Sequence, residues 1–403
     1  VAVKLETAQQ ALLDQAPVLQ VEAVSLEMSW RRVIAQQVAA ASDFPPFDRS
    51  PLDGYALIAD EAARAVPERP VILREIDSVA AGEVSQKVVQ PGTACRIMTG
   101  APIPAGATGV VRIEDTIVLD KQVRVLSGQG LDGNICRQGE EIAAGEKVIA
   151  PGSVINMGVL GMLAVLGVDR PLVYRQPRVA LLATGSELVE VHEELSPGKI
   201  RNSNSYMLSA MVREAGAQPL LLGTARDDIE EISDMITTAP DFDVCITTGG
   251  ASIGDYDLIG DIFAKLGITV LFERISMKPG MPVLAGVKDG KLYIGLSGNP
   301  AAASVAFEQV VRPALLKMAG RTNWWRPVVK AQLTIPFVKC GGARRFIWSR
   351  CWQGTEGLLV EPLKLQGHGM LKSAIGANAL LIVPEDSPPL AAGTWLETML
   401  LVE

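Results

Sequence analysis

At 403 residues, 48% of them hydrophobic, the chain is too long for one ordinary domain and can bury several cores. A net charge of −8 excludes a general nucleic-acid or anionic-membrane binder, which needs clustered Lys and Arg. The five cysteines are scattered without a C-x-x-C, and His192 and His368 are the only histidines; this excludes a disulfide framework, a thiolate zinc site and a Ser-His-Asp triad, and fits a reducing cytoplasm.

Residues 5–41 read as helical. Ser25 is placed to cap a helix in which Trp30, Val33, Ile34 and Val38 recur at three/four spacing. Lys4, Glu6 and Asp14 interrupt the N-terminal stretch and argue against a signal peptide. Pro45, Pro46 and Pro51 then enforce extended backbone and mark a boundary. Apolar runs at 71–73, 95–98, 109–113 and 122–126 alternate with Gly/Pro turns and predict a β-rich inserted domain over 43–138. A helix is expected over 155–166. The apolar stretch around it is too short to cross a bilayer core of roughly 30 Å and reads as a core or oligomer-interface helix. The segments flanking the insert, 1–42 and 139–177, are expected to form one discontinuous helix-rich domain.

From Arg178 the pattern becomes strict β/α alternation. A strand at 179–183 leads to a helix at 204–215, with Met207/Met211 and Leu208/Val212 paired at i,i+4 and Gly216 as its stop. A strand at 219–222 precedes a helix opened by Asp228, with Ile229, Ile232 and Ile236 as the buried stripe and Asp228-x-x-Glu231 as a capping box. A strand at 243–246, a helix at 257–266, strands at 270–275 and 292–296, and a helix opened by Asn299 with Pro300 at its first position complete the run. The prediction is a multidomain α/β protein whose doubly wound sheet spans 178–323. After Trp324-Trp325 only short apolar runs remain, and these predict a small all-β domain over 324–403.

Strands that empty into Gly/Ser/Thr loops are where open α/β sheets bind ligands, often anions. Five such loops are expected at one sheet edge: Thr184-Gly185-Ser186-Glu187; Arg226-Asp227-Asp228; Thr248-Gly249-Gly250-Ala251-Ser252 with Asp255 and Asp257; Lys278-Pro279-Gly280; and Ser297-Gly298-Asn299-Pro300. Glycines let backbone N–H groups approach phosphate oxygens, and helix N-termini add partial positive charge. Glu187, Asp228 and Asp257 suit Mg²⁺, and Lys278 suits an oxyanion. Each also has a plainer reading: Asp228 and Asn299 as helix caps, Asp257 as a first-turn acid, Glu187 as a solvated acid, Gly249-Gly250 as a turn, Lys278 as a surface lysine. Their coincidence on one edge favours a site. Asp53 lies far from these loops, and its local reading is an Asx turn with Gly54. Thr99-Gly100 either binds phosphate or turns.

SPLDGYA (50–56), RIMTGAPIPAGA (96–107), ATGSEL (183–188), TGGASIGDYD (248–257), KPGMP (278–282) and SGNPAAA (297–303) resemble, in order and over essentially the whole chain, the signature segments of the MoeA-type molybdopterin molybdenumtransferases, also seen in the gephyrin E domain. The resemblance implies elongated homodimers of four domains, one like the molybdopterin adenylyltransferases and one a C-terminal β-barrel, with the active cleft between protomers. It implies insertion of molybdenum from molybdate into adenylylated molybdopterin with release of AMP and a need for Mg²⁺. It also implies partners among molybdopterin adenylyltransferases and molybdoenzyme-maturation proteins. By position, Asp53, Thr99, Glu187, Asp228 and Asp257 match the family's functional acids and threonine, Lys278 the first lysine of its KPGKP motif, and Ser373 a serine of its C-terminal domain. Met281, Ser297, Glu141 and Ala343 depart from a lysine, a proline, an aspartate and an arginine of the family pattern. A second reading therefore stays open: a paralogue that binds the pterin nucleotide or a partner protein without inserting metal, or that handles another oxyanion.

Overall fold

The computed structural model describes residues 2–250, 258–339, 341–364, 366–367 and 369–401. The chain groups into two compact units. The first comprises Val1–Ala35, Gly152–Asn156 and Arg170–Glu403; the second comprises Gln36–Pro151 and Met157–Asp169.

The first unit is built on a six-stranded sheet. Its strands are β1 (Arg178–Thr184), β2 (Gln218–Ala225), β3 (Val244–Thr248), β4 (Thr269–Arg274), β5 (Pro282–Lys288) and β6 (Lys291–Leu296). The spatial order is β2-β1-β3-β6-β5-β4. The first four run parallel; β5 is antiparallel to both neighbours. Both faces are covered, which is why the strands read as continuous apolar runs. Val179, Leu181, Ile246 and Ile294 face a core completed by helices α1 (Leu5–Gln15) and α2 (Asn204–Glu214) and by the helical run from Pro300 to Met318. Ala180, Leu182, Cys245 and Tyr293 face a second core under α3 (Ile229–Thr237) and α4 (Leu258–Leu266). The doubly wound sheet is thus present, with a strand, β5, that the sequence reading did not place.

The expected N-terminal helices are only partly present. α1 packs Leu5, Ala8 and Leu12 into the sheet core. Ser25 makes no side-chain cap, and only a 3₁₀ turn, Leu26–Ser29, follows. Arg31 has φ 62°, which ends helical backbone at once. Val33 and Ile34 then pair as extended residues with Val154 and Val173. Their β-branched side chains favour that outcome over helix.

The C-terminal part of this unit is a closed five-stranded barrel. β7 (Val328–Leu333), β8 (Arg344–Gln353), β9 (Leu358–Pro362), β10 (Ala379–Val383) and β11 (Trp395–Leu400) pair in the order β8-β9-β7-β11-β10, and β10 returns to β8. Ala331, Ile347, Val360, Leu381 and Leu396 fill it. A short strand, Met277–Lys278, adds to β8 opposite Arg344 and Arg345.

The second unit holds its own six-stranded sheet, ordered Gly109–Arg112, Gly54–Leu57, Thr93–Ile97, Val71–Val79, Gln122–Val125, Thr116–Leu119. It matches the expected β-rich insert. The helix Met157–Val165 also falls here; Leu163 is its buried residue, and Met157 is 84% exposed.

Candidate active site

The strand ends of the first unit open into a cavity of about 860 Å³. Thr184 at the end of β1 and Gly185 after it, Asp227 after β2, Gly249 and Gly250 after β3, and Gly298, Asn299 and Pro300 after β6 line it. Four of the five expected loops therefore converge at this edge.

Close backbone approach explains the glycines. Gly249 has φ +102°, and a β-carbon there would lie 2.0 Å from the Thr184 carbonyl oxygen. Its N–H donates to Leu296 O at 3.2 Å, so the loop after β3 is clamped between β1 and β6. At Gly185 a β-carbon would come within 2.6 Å of Glu187 Oε2, so the Glu187 carboxylate folds back over its own loop. Ser186 N–H donates to Asp227 Oδ2 at 3.1 Å and locks the loops after β1 and β2 together.

The acids are distributed differently from the expectation. Glu187 lines the cavity, and so does Asp227. Asp228 instead caps α3: its Oδ1 accepts the Glu231 N–H at 2.8 Å, the plainer of its two readings. Ser252, Asp255 and Asp257 lie outside the described residues. Among the described residues, no group of three His, Cys, Asp or Glu side chains is placed to hold a metal ion. Glu187 and Asp227 remain as two carboxylates that, with substrate phosphates, suit the coordination habit of Mg²⁺.

Lys278 and Pro279 line a separate cavity of about 50 Å³ with Ala301, Lys339, Arg345 and Trp348. Lys339 Nζ donates to Gln366 O at 3.4 Å, and Arg345 donates to Gly341 O at 3.2 Å. Trp348 is 8% exposed, and its Nε1 is buried without a hydrogen-bond partner. Lys278, Lys339 and Arg345 bring three cationic side chains to the lining of this small space, which suits an oxyanion. Gly280 has φ +95° and packs under Ala302 O. Ser373 is buried in the 3₁₀ segment Leu371–Gly376 and lines neither cavity.

In the second unit Asp53 and Thr99 form a pair. Asp53 Oδ1 accepts the Thr99 N–H at 2.8 Å and the Thr99 hydroxyl at 2.7 Å, which replaces the expected turn with Gly54. Gly54 serves strand packing instead: a β-carbon there would lie 1.9 Å from Val111 O. The Thr99 backbone N–H, then its hydroxyl, hold the Asp53 carboxyl below its ordinary range. Gly100, with φ +84°, turns the chain just after. Burial raises the Cys95 thiol to about 11 and Cys245 to about 12, so neither supplies a thiolate near neutral pH.

Sequence reasoning missed one wall of the larger cavity, the segment from Ile200 to Asn204. Its signal was the polar run Asn202-Ser203-Asn204-Ser205 ahead of an apolar helix. Arg201 is in this wall, with Nε and Nη2 donating to Val191 O and Glu193 O at 2.9 and 3.1 Å. Lys339, Arg345 and Trp348 were also missed, because nothing local marks barrel residues as neighbours of Lys278.

Three family models match in order: the MoeA N-terminal region (domain I and II) over residues 3–167, a probable molybdopterin binding domain over 180–317, and the MoeA C-terminal region (domain IV) over 330–401. The molybdopterin molybdenumtransferase of Staphylococcus epidermidis strain RP62A is 36% identical over 378 residues, 94% of this chain and 90% of its own length. The chain belongs to the MoeA family. The Staphylococcus aureus MRSA252 molybdopterin molybdenumtransferase is 35% identical over 399 residues, 99% of this chain and 95% of its own. A crystal structure of the MoeA protein of molybdopterin biosynthesis from Pyrococcus horikoshii superposes with a TM-score of 0.83 at 30% identity, covering 100% of both chains. Membership of the MoeA family makes the chain an enzyme of the transferase class in molybdenum cofactor biosynthesis.

Proposed function

We propose that the chain inserts molybdenum from molybdate into adenylylated molybdopterin and releases AMP, with Mg²⁺ as cofactor. One observation carries this reading. Pro300 borders the large glycine-walled cavity and the next residue, Ala301, borders the small cationic one. A site for a phosphoanhydride and a site for an oxyanion therefore share one wall, as a reaction joining the two requires.

The larger cavity holds the nucleotide and pterin. The glycine loops bring backbone N–H groups to the phosphates. Glu187 and Asp227 would hold Mg²⁺ against the same phosphates, and the ion would offset the charge that develops as the anhydride breaks. Lys278, Lys339 and Arg345 hold molybdate. None of these groups is a covalent nucleophile, so catalysis proceeds by positioning and charge stabilisation.

Met281 stands where the resembling motif has a lysine, and this motivates a second reading, binding of the pterin nucleotide without insertion. Lys278→Ala separates the two. Under insertion, AMP release by K278A loses its response to molybdate and falls about 10²-fold or more, while AMP affinity stays near wild type. Wild-type release from K278A would refute the assignment of the small cavity.

We also propose a homodimer. The helix Met157–Val165 is apolar throughout yet buries Leu163 alone, with Val165 45% exposed. An exposed helix that is apolar on every side marks an interaction surface.

A further inference from the structure

Two buried asparagines with different roles stand at the first residue of α2 and two residues before it. Asn202 closes the helix end: its Oδ1 accepts the Ser205 N–H at 3.1 Å, and its Nδ2 donates to Ser205 Oγ at 2.9 Å and Thr224 Oγ1 at 3.2 Å. Asn204 makes none of these local bonds. Its Nδ2 reaches 94 residues along the chain to donate to the Gly298 carbonyl at 2.8 Å. Asn204 is 7% exposed, and its Oδ1 is buried without a hydrogen-bond partner.

Chemistry fixes the orientation of this amide, because turning it over would set Oδ1 against the Gly298 oxygen. An amide that leaves its own acceptor unsatisfied in order to cover one carbonyl breaks a local rule, and such violations concentrate where a site is shaped. Gly298 and Asn204 both line the larger cavity. In the same turn the Asn299 N–H donates to Ser297 Oγ at 3.2 Å.

We infer that Asn204 is a positioning residue: by holding the Gly298 carbonyl it fixes the Ser297–Pro300 loop in the shape that a phosphorylated ligand meets. The inference rests on the reading of this cavity as the nucleotide-pterin site.

The test uses the full chain with AMP as probe. N204A removes both the donor and the orphan acceptor. N204D keeps the shape but opposes oxygen to oxygen. S233A is the control, because Ser233 Oγ is buried and unpartnered on α3 and lies outside the cavity lining. AMP affinity, melting temperature and amide exchange over 297–300 are measured for each. N204A is expected to bind AMP about tenfold more weakly, the size of one hydrogen bond near a charge, and N204D more weakly still. Exchange over the loop rises in N204A, while its melting temperature stays at or above that of S233A. A contact that merely holds the fold would do the reverse, lowering the melting temperature and leaving affinity intact; that result overturns the inference, as does unchanged exchange over the loop. If the wild type binds no AMP, the nucleotide reading of the cavity fails. Exchange in N204A then decides the positioning role alone: faster exchange sustains it and unchanged exchange removes it.

Discussion

Asp53 shows how far single residues could be read. Its identity pointed to a turn with Gly54, yet its carboxylate bonds a threonine 46 residues away. No local pattern reveals a partner at that distance; the family resemblance named both residues without showing that they touch. The pair makes a titration prediction. Thr99→Val removes the hydroxyl but keeps the N–H, which is the larger cause of the lowered Asp53 pKa. In T99V the Asp53 pKa is expected to rise toward its ordinary value without reaching it, read by NMR titration. Because the folded-state pKa is lowered, the contribution of this pair is present above the ordinary carboxylate range. It is lost as pH falls through the lowered value. An unmoved pKa in T99V would show that the hydroxyl contributes nothing. Gly249 was legible as a turn, but the crowding that makes it obligatory, a β-carbon there lying 2.0 Å from Thr184 O, was not. Gly249→Ala combines positive-φ strain with a backbone collision, so a loss of more than about 1–3 kcal/mol is expected in denaturant unfolding. A stability equal to wild type would mean that the loop is free to move away.

Elements were legible where periodicity and burial agree. The strands β1, β3 and β6 and the helices α2, α3 and α4 all stand close to their predicted places, because a sheet covered on both faces needs apolar runs and its helices need one apolar stripe. β5 was missed because Gly286 interrupts it, and glycine usually weakens a strand. Here the glycine is required, since a β-carbon would come within 2.6 Å of Ile268 Cγ2 and 2.9 Å of Thr269 O. A signal for this strand did exist. Asp289-Gly290, both at positive φ, form the two-residue turn between Lys288 and Lys291 that joins β5 to β6. The placement of α1 was hidden for another reason: amphipathic periodicity states that a face is buried but not against what. Leu12 is fully buried in the sheet core, so Leu12→Ala is expected to cost about 2–5 kcal/mol in the denaturation of that core. A cost below about 1 kcal/mol would place α1 outside the cooperative unit. The barrel is tied down by Arg326, whose guanidinium bonds Glu308 at 3.1 Å, Glu214 at 2.7 Å and the Leu401 carbonyl at 2.7 Å. With Arg326 and Glu308 both buried, Arg326→Met is expected to lose about 3–5 kcal/mol.

For the whole molecule, the doubly wound sheet and the all-β C-terminal part were readable from texture alone, and the substrate came from signature segments rather than from physics. What no sequence pattern supplied is the shared wall at Pro300 and Ala301, with a glycine-walled cavity on one side and a cationic one on the other. That juxtaposition depends on a barrel strand bringing Arg345 and Trp348 beside Lys278, a contact made only by tertiary packing. At the same scale, the exposed apolar helix around Met157 predicts assembly: Met157→Glu with Val165→Glu should convert a dimer to a monomer in sedimentation experiments, and an unchanged dimer would place the interface elsewhere. The central claim concerns the two cavities acting together. The decisive measurement is AMP release from adenylylated molybdopterin by the purified protein at fixed Mg²⁺, with and without molybdate. Release that rises with molybdate and saturates is the predicted result. Tight binding of the nucleotide with release indifferent to molybdate would contradict it.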